Sequence, residues 1–199
     1  MIKLRRYTAA ALTSLIFGCV VEAKIDTKVS EEAKPPEEPM VQEEVQPRMV
    51  CVGCSPAEQI AVDFFFERGI TEPRAMSVVL GNIKQESNFH ANICEGGARI
   101  PYENCHRGGY GLIQWTTTGR YDGLGRFAKN HGGSPSDLGT QLRYLVTERQ
   151  WLTIEPTLVK GGASTQHYMR GAYRWLGWGI YGNRGHFSEQ YLSKLRVIS

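Results

Sequence analysis

The run SPAEQIAVDFFFERG, residues 55–69, has few ways to be anything but a helix. Ser55 is a capping residue type, Pro56 suits the first turn, Glu58 completes a capping box and Gly69 supplies a stop. After the break ITEP a second helical pattern starts near Pro73 and runs to about Ser87, with Met76, Val79, Leu80 and Ile83 at helical spacing. Later helices are expected in SPSDLGTQLRYLVTERQW, which repeats the Ser-Pro-x-Asp start at residue 134, in STQHYMRGAYRWLGW from Ser164, and in FSEQYLSKL from Phe187. Residues 90–118 are instead rich in Gly, Asn and Thr, and YGLIQW is the one convincing short strand there. The expected fold is mainly α (α+β): a helical domain with a small β or irregular lobe, and a ligand cleft between the two.

That domain is expected to occupy residues 50–199. Residues 1–23 read as an export signal: Lys3, Arg5 and Arg6 precede an apolar run from Tyr7 to Gly18 that is short for a bilayer span. IFGC, ending at Cys19, resembles a lipoprotein processing box, while VEA before Lys24 suits ordinary cleavage; the lipidated Cys19 is the preferred reading over an uncleaved anchor or a buried amphipathic helix. Residues 24–49 form an acidic linker. Over 24–48 there are three Glu-Glu pairs, four prolines and no aromatic residue, too little apolar surface to offset chain entropy. The formal charge is −3 over 24–48 and +2 over 1–23, which leaves +4 for residues 49–199 out of a total of +3. A mildly basic domain suits an anionic polymer such as a cell wall, and without a basic cluster it does not point to nucleic acid.

With Cys19 set aside, four cysteines remain: Cys51, Cys54, Cys94 and Cys105. An even number fits an exported, oxidised domain, with 94–105 the first choice of pair. The rival is a zinc site of four thiolates, since CVGC has ligand spacing, although the second pair is too widely spaced for it. A thiol peptidase or amidase would need Cys94 or Cys105 with His90, His106 or His131, and no motif places those histidines.

Glu86 presents the sharper question. On a helical wheel it falls beside Val79, at the edge of the apolar stripe. Burial there would disfavour the ionised carboxylate, as a general acid working near neutrality requires; the bland alternative is a helix-end glutamate pointing into water.

GNIKQESNF, then GGYGLIQWTTTGR, then LGTQLRYLVTE resembles the phage tail lysozyme family of the lysozyme-like superfamily, which includes lytic transglycosylases and goose-type lysozymes, over roughly residues 56–190. The resemblance implies peptidoglycan as substrate, no cofactor, and cleavage between N-acetylmuramic acid and N-acetylglucosamine. By position it makes Glu86 the catalytic acid, Ser87 a neighbour holding the site and Gln114 a cleft residue. Gly108, Gly109 and Gly111 would let the backbone approach a polysaccharide, with Tyr110 and Trp115 against sugar rings or, alternatively, filling the core. Tyr173 loosely resembles a transglycosylase tyrosine, and Tyr173, Trp175, Trp178 and Tyr181 together are candidates for the groove floor or, equally, for a tightly packed helix end. No motif supplies a second carboxylate; Glu95, Glu103 and Asp122 are the candidates, with a solvated loop charge the preferred reading of each. Without one, the N-acetyl group would act as internal nucleophile and yield a 1,6-anhydro product. The remaining alternative is a wall-binding module or virion part, in contact with other tail proteins, that kept the fold without activity.

Overall fold

The computed structural model describes residues 46–106 and 108–199; the export signal, Cys19 and the linker up to residue 45 lie outside them. Strand β1 (Arg48–Cys51) pairs antiparallel with β2 (Leu195–Ile198), Met49 opposite Val197. Arg48 and Met49, expected in the linker, therefore belong to the fold, and Met49 is buried. A Cys51–Cys54 disulfide spans the turn into helix α1 (Pro56–Glu67). The capping box forms: Ser55 Oγ accepts from the Glu58 N–H, and Glu58 accepts from the Ser55 N–H at 2.6 Å.

Helix α2 (Pro73–Ser87) is the spine. Ala75 through Ile83 are buried without interruption, because the helix is covered on all sides and not on a single stripe. It is packed by α1, by α5 (Arg149–Lys160), by α6 (Thr165–Leu176) and above all by α7 (Arg184–Lys194). Gly81 makes the α2–α7 crossing close: a Cβ there would lie 2.6 Å from the Ser188 backbone nitrogen.

Two helices differ from expectation. Helix α3 (Thr118–His131) is concealed in the sequence by Gly123 and Gly125, poor helix formers. Both are required by neighbours: a Cβ on Gly123 would stand 2.1 Å from the Tyr144 hydroxyl, and one on Gly125 2.8 Å from that of Tyr102. The expected helix across 134–151 breaks into α4 (Leu138–Leu145) and the start of α5. Thr147 and Glu148 turn back onto the Tyr144 and Leu145 carbonyls, and the Glu148 carboxylate takes two 2.7 Å bonds from Arg120 of α3.

The lobe between α2 and α3 is irregular. YGLIQW is not a strand but a turn stapled by mutual Tyr110–Trp115 bridging, with Gly111 at φ 72° and Gln114 at φ 51°. A Cys94–Cys105 disulfide closes the lobe, which, with the Cys51–Cys54 bridge, leaves no thiolate for the zinc or thiol-nucleophile readings. Among the described residues no helix is long and apolar enough to cross a membrane.

Candidate active site

Glu86 sits in the last turn of α2. Asn88 and Phe89 adopt left-handed backbone (φ 49° and 62°), turning the chain off the helix and leaving Glu86 at the end of a buried rod. Its carboxyl is largely covered, with 16% of the side chain exposed. The Arg184 Nη2 donates to Glu86 Oε1, and Arg120 stands close enough to act on it electrostatically.

These influences oppose one another. Burial pushes the Glu86 pKa up; the charge and hydrogen bond of Arg184 and the charge of Arg120 pull it down, and burial prevails. The carbonyl end of α2 acts in the same direction as burial, since an anion there meets the negative pole of the helix. Arg184 is itself pushed down by burial and supported by Glu86, yet a guanidinium stays charged in proteins. The pair is thus a fixed cation against an acid whose proton affinity is raised.

Gln85, one residue before, accepts from the Asn183 N–H at 2.7 Å, and Gly182 (φ 58°) leaves room for that amide. Gln85 therefore fixes the entry to α7 and brings Arg184 to Glu86 across 98 residues of sequence. The Arg184 guanidinium lies 4.5 Å from the centroid of the Trp178 ring. Trp178 is edge-on to Tyr173 (5.3 Å) and Tyr181 (6.3 Å). These three rings line a groove of about 730 Å³ with Met169, Arg170 and Arg174, a volume typical of ligand clefts. Tyr173 and Tyr181 are half exposed. Glu86 does not line this groove; Trp178 and Arg184 connect the two.

Other residues expected to touch substrate are buried or occupied within the protein. Ser87 is buried and spends its hydroxyl on the Ile83 carbonyl. Tyr110 and Trp115 are fully buried and offer no face to a sugar, so the core-filling reading replaces the stacking one. Trp175 is likewise buried, packed edge-on against Trp151. The glycines serve the protein itself: a Cβ on Gly111 would strike the Gln141 amide at 2.5 Å, one on Gly108 the Glu95 carboxylate, and one on Gly109 Gln114. Gln141, fully buried, donates to the Ala91 and Pro135 carbonyls at 2.6 Å and accepts from the Leu112 N–H, tying three loops to α4. Gln114 is half-buried and folds back on the Gly111 carbonyl at 3.0 Å.

The charged groups that act on Glu86 are Arg184 and Arg120, with none of the candidate second carboxylates among them. Glu95 accepts from the Gly109 N–H at 2.9 Å, while Glu103 and Asp122 line a separate cavity of about 470 Å³ with Tyr102 and Tyr121. Gln85 and Arg120 lie inside the motifs GNIKQESNF and GGYGLIQWTTTGR but were assigned no role there, and Arg184 carried no sequence signal, since the segment GWGIYGNRG marked only its aromatic content.

Among known proteins, the sequence model described as phage tail lysozyme matches residues 56–177. Trp178, Tyr181 and Arg184 follow the matched segment. No curated protein and no solved structure matches.

Proposed function

This chain belongs to the phage tail lysozyme family, and from that premise we propose that it cleaves the β-1,4 bond between N-acetylmuramic acid and N-acetylglucosamine with Glu86 as general acid. Membership carries a peptidoglycan-degrading, lysozyme-like activity, glycoside hydrolysis or transglycosylation, acting at the cell wall. The observation that supports the finer reading is the Glu86 carboxyl, closed in at the end of a buried helix, with raised proton affinity. Glycoside cleavage passes through an oxocarbenium-like transition state and needs a proton delivered to the leaving oxygen. Oε1 is engaged by Arg184, so Oε2 is the oxygen left to carry that proton. Tyr173, Trp178 and Tyr181 would hold sugar rings beside it, while Ser87, Tyr110, Gly111, Gln114 and Trp115 support the fold and are not proposed to touch substrate.

The test separates a catalyst from a binding module. Glu86→Gln should lose lysis of purified sacculi by about 100-fold or more while still sedimenting with them. Undiminished lysis would refute the role of Glu86, and would leave family membership intact.

A second reading, lytic transglycosylation, draws on the charges that face Glu86, which among the described residues are Arg184 and Arg120 and include no carboxylate. In that route the substrate's N-acetyl oxygen attacks the anomeric carbon, and the sugar's own 6-hydroxyl then displaces it. Mass spectrometry of released muropeptides decides between reducing-end and 1,6-anhydro products. We further propose that residues 1–23 direct export, with lipid on Cys19 as the membrane attachment, and that residues 24–47 tether the domain at the envelope or on a virion.

A further inference from the structure

The groove and the acid share one intermediary. Arg184 touches the Glu86 carboxylate with one end of its guanidinium, whose carbon lies over the Trp178 ring, and Trp178 is a wall of the groove. A cation fixed on the carboxylate favours the anion, whereas a general acid must arrive at the transition state with its proton. A permanently seated Arg184 would therefore oppose the chemistry assigned to its partner.

The seat is also incomplete. Arg184 is 4% exposed, yet its Nε has no hydrogen-bond partner, so the residue is held with one buried donor unsatisfied. That deficit lowers the cost of leaving. Its anchor is one-sided: Gln85 holds the Asn183 backbone and Ser188 bonds the Arg184 carbonyl at 2.8 Å, so the main chain is fixed while the guanidinium depends on Glu86 and Trp178. Trp178 in turn follows Gly177 in left-handed backbone and precedes Ile180, which is 83% exposed.

We propose that Arg184 is a positioning residue: it clamps the Glu86 carboxylate in the free protein and is drawn off it when a glycan fills the Tyr173–Trp178–Tyr181 groove. A sugar face stacked on Trp178 competes with the guanidinium for that ring, and once the contact to Glu86 is broken burial is opposed only by the charge of Arg120. The charged groups that face Glu86 are then few. From α7 there is Arg184; from α3 there is Arg120, already committed to Glu148 by two bonds; the Tyr181 phenol lies beside Arg184 from the connecting segment. On α2 itself Lys84 is turned to Glu58. The acid is thereby masked without substrate and armed with it. This inference rests on the reading of Glu86 as general acid, and its intermediary Arg184, with Trp178 and Tyr181, lies beyond the family match.

The test uses the full chain and a soluble peptidoglycan tetrasaccharide-peptide, with kcat and kcat/KM followed against pH. The kcat/KM profile reports the free enzyme and kcat the complex. In the wild-type protein the alkaline limb of kcat/KM should lie at lower pH than that of kcat. Arg184→Gln should move the kcat/KM limb up until the two coincide, keeping about tenfold more of its plateau kcat/KM on the alkaline side, with the kcat limb in place. Arg184→Lys, which retains charge without the planar fork, should keep the wild-type separation in part, and it stands in if Arg184→Gln does not fold. Limbs that coincide in the wild type, or that move together in Arg184→Gln, mean a static ion pair and overturn the proposal. A Glu86→Gln protein of full activity would instead overturn the functional reading on which it rests.

Discussion

At Gly81 the spine helix comes into close contact with the backbone of the helix carrying Arg184, and Gly81→Ala sets two effects of known sign against each other. Within a helix the change favours the folded state by about 1 kcal/mol through backbone entropy. Against this, the new methyl would lie 2.4 Å from the Ser188 hydroxyl oxygen, 2.6 Å from its backbone nitrogen and 2.9 Å from its Cα. Two of those three atoms belong to the main chain of α7 and cannot rotate away, so the helices must separate. Overpacking of this kind costs about 1–3 kcal/mol and more where backbone must shift, which outweighs the propensity gain. The expected net loss is about 1–2 kcal/mol, or roughly 3–8 °C in Tm for a domain of this size. Ser188→Ala in the Gly81→Ala background should recover little, because the backbone contacts remain. Since Arg184 begins the same helix, specific lysis should fall as well. Thermal unfolding by circular dichroism reads the first effect, and a Gly81→Ala protein as stable as the wild type or more so would refute the packing argument.

Glu58 gives an acid-stability prediction. Burial pushes its carboxyl up, but bonds from the Tyr191 hydroxyl and from Ser55, and the Lys84 charge, outweigh it and bring the pKa to about 2 from 4.5. A depressed folded-state pKa contributes stability above the unfolded value and loses it as pH falls, so about 2 kcal/mol, discounted for solvent screening, should disappear between pH 4.5 and 2. Urea midpoints across that range test it, and Tyr191→Phe should flatten the loss; an equal loss in the variant would contradict the assignment. Trp115→Ala should cost about 3–5 kcal/mol of stability while the folded fraction binds sacculi with unchanged affinity, because the ring is core; a selective loss of binding would restore Trp115 to the glycan surface.

What was legible in the sequence was local. The α1 cap, the Pro73 start of α2 and the Ser164 cap of α6 are each specified within four residues, and all three appear where expected. Helix α3 was hidden because Gly123 and Gly125 answer to Tyr144 and Tyr102, rings that only the tertiary fold brings near. YGLIQW imitated a strand by its alternating apolar residues, while the positive φ at Gly111 and at the non-glycine Gln114 turned it back on itself. Glu86 was placed at the rim of an apolar stripe, and the structure puts it at the closed end of a helix covered on every side. Its partner was beyond reach: a contact across 98 residues leaves no trace in periodicity or spacing, and Arg184 stands in a stretch whose other features are aromatic.

The proton affinity of Glu86 is the point from which the chemistry follows, and it can be measured directly. Carbon-13 detection of its side-chain carboxyl through a pH titration of the free protein, assigned by the Glu86→Gln spectrum, should give a midpoint above the ordinary 4.5, as burial outweighing Arg184 and Arg120 requires. A midpoint at or below 4.5 would show the arginines in control, and the case for Glu86 as a proton donor would fail.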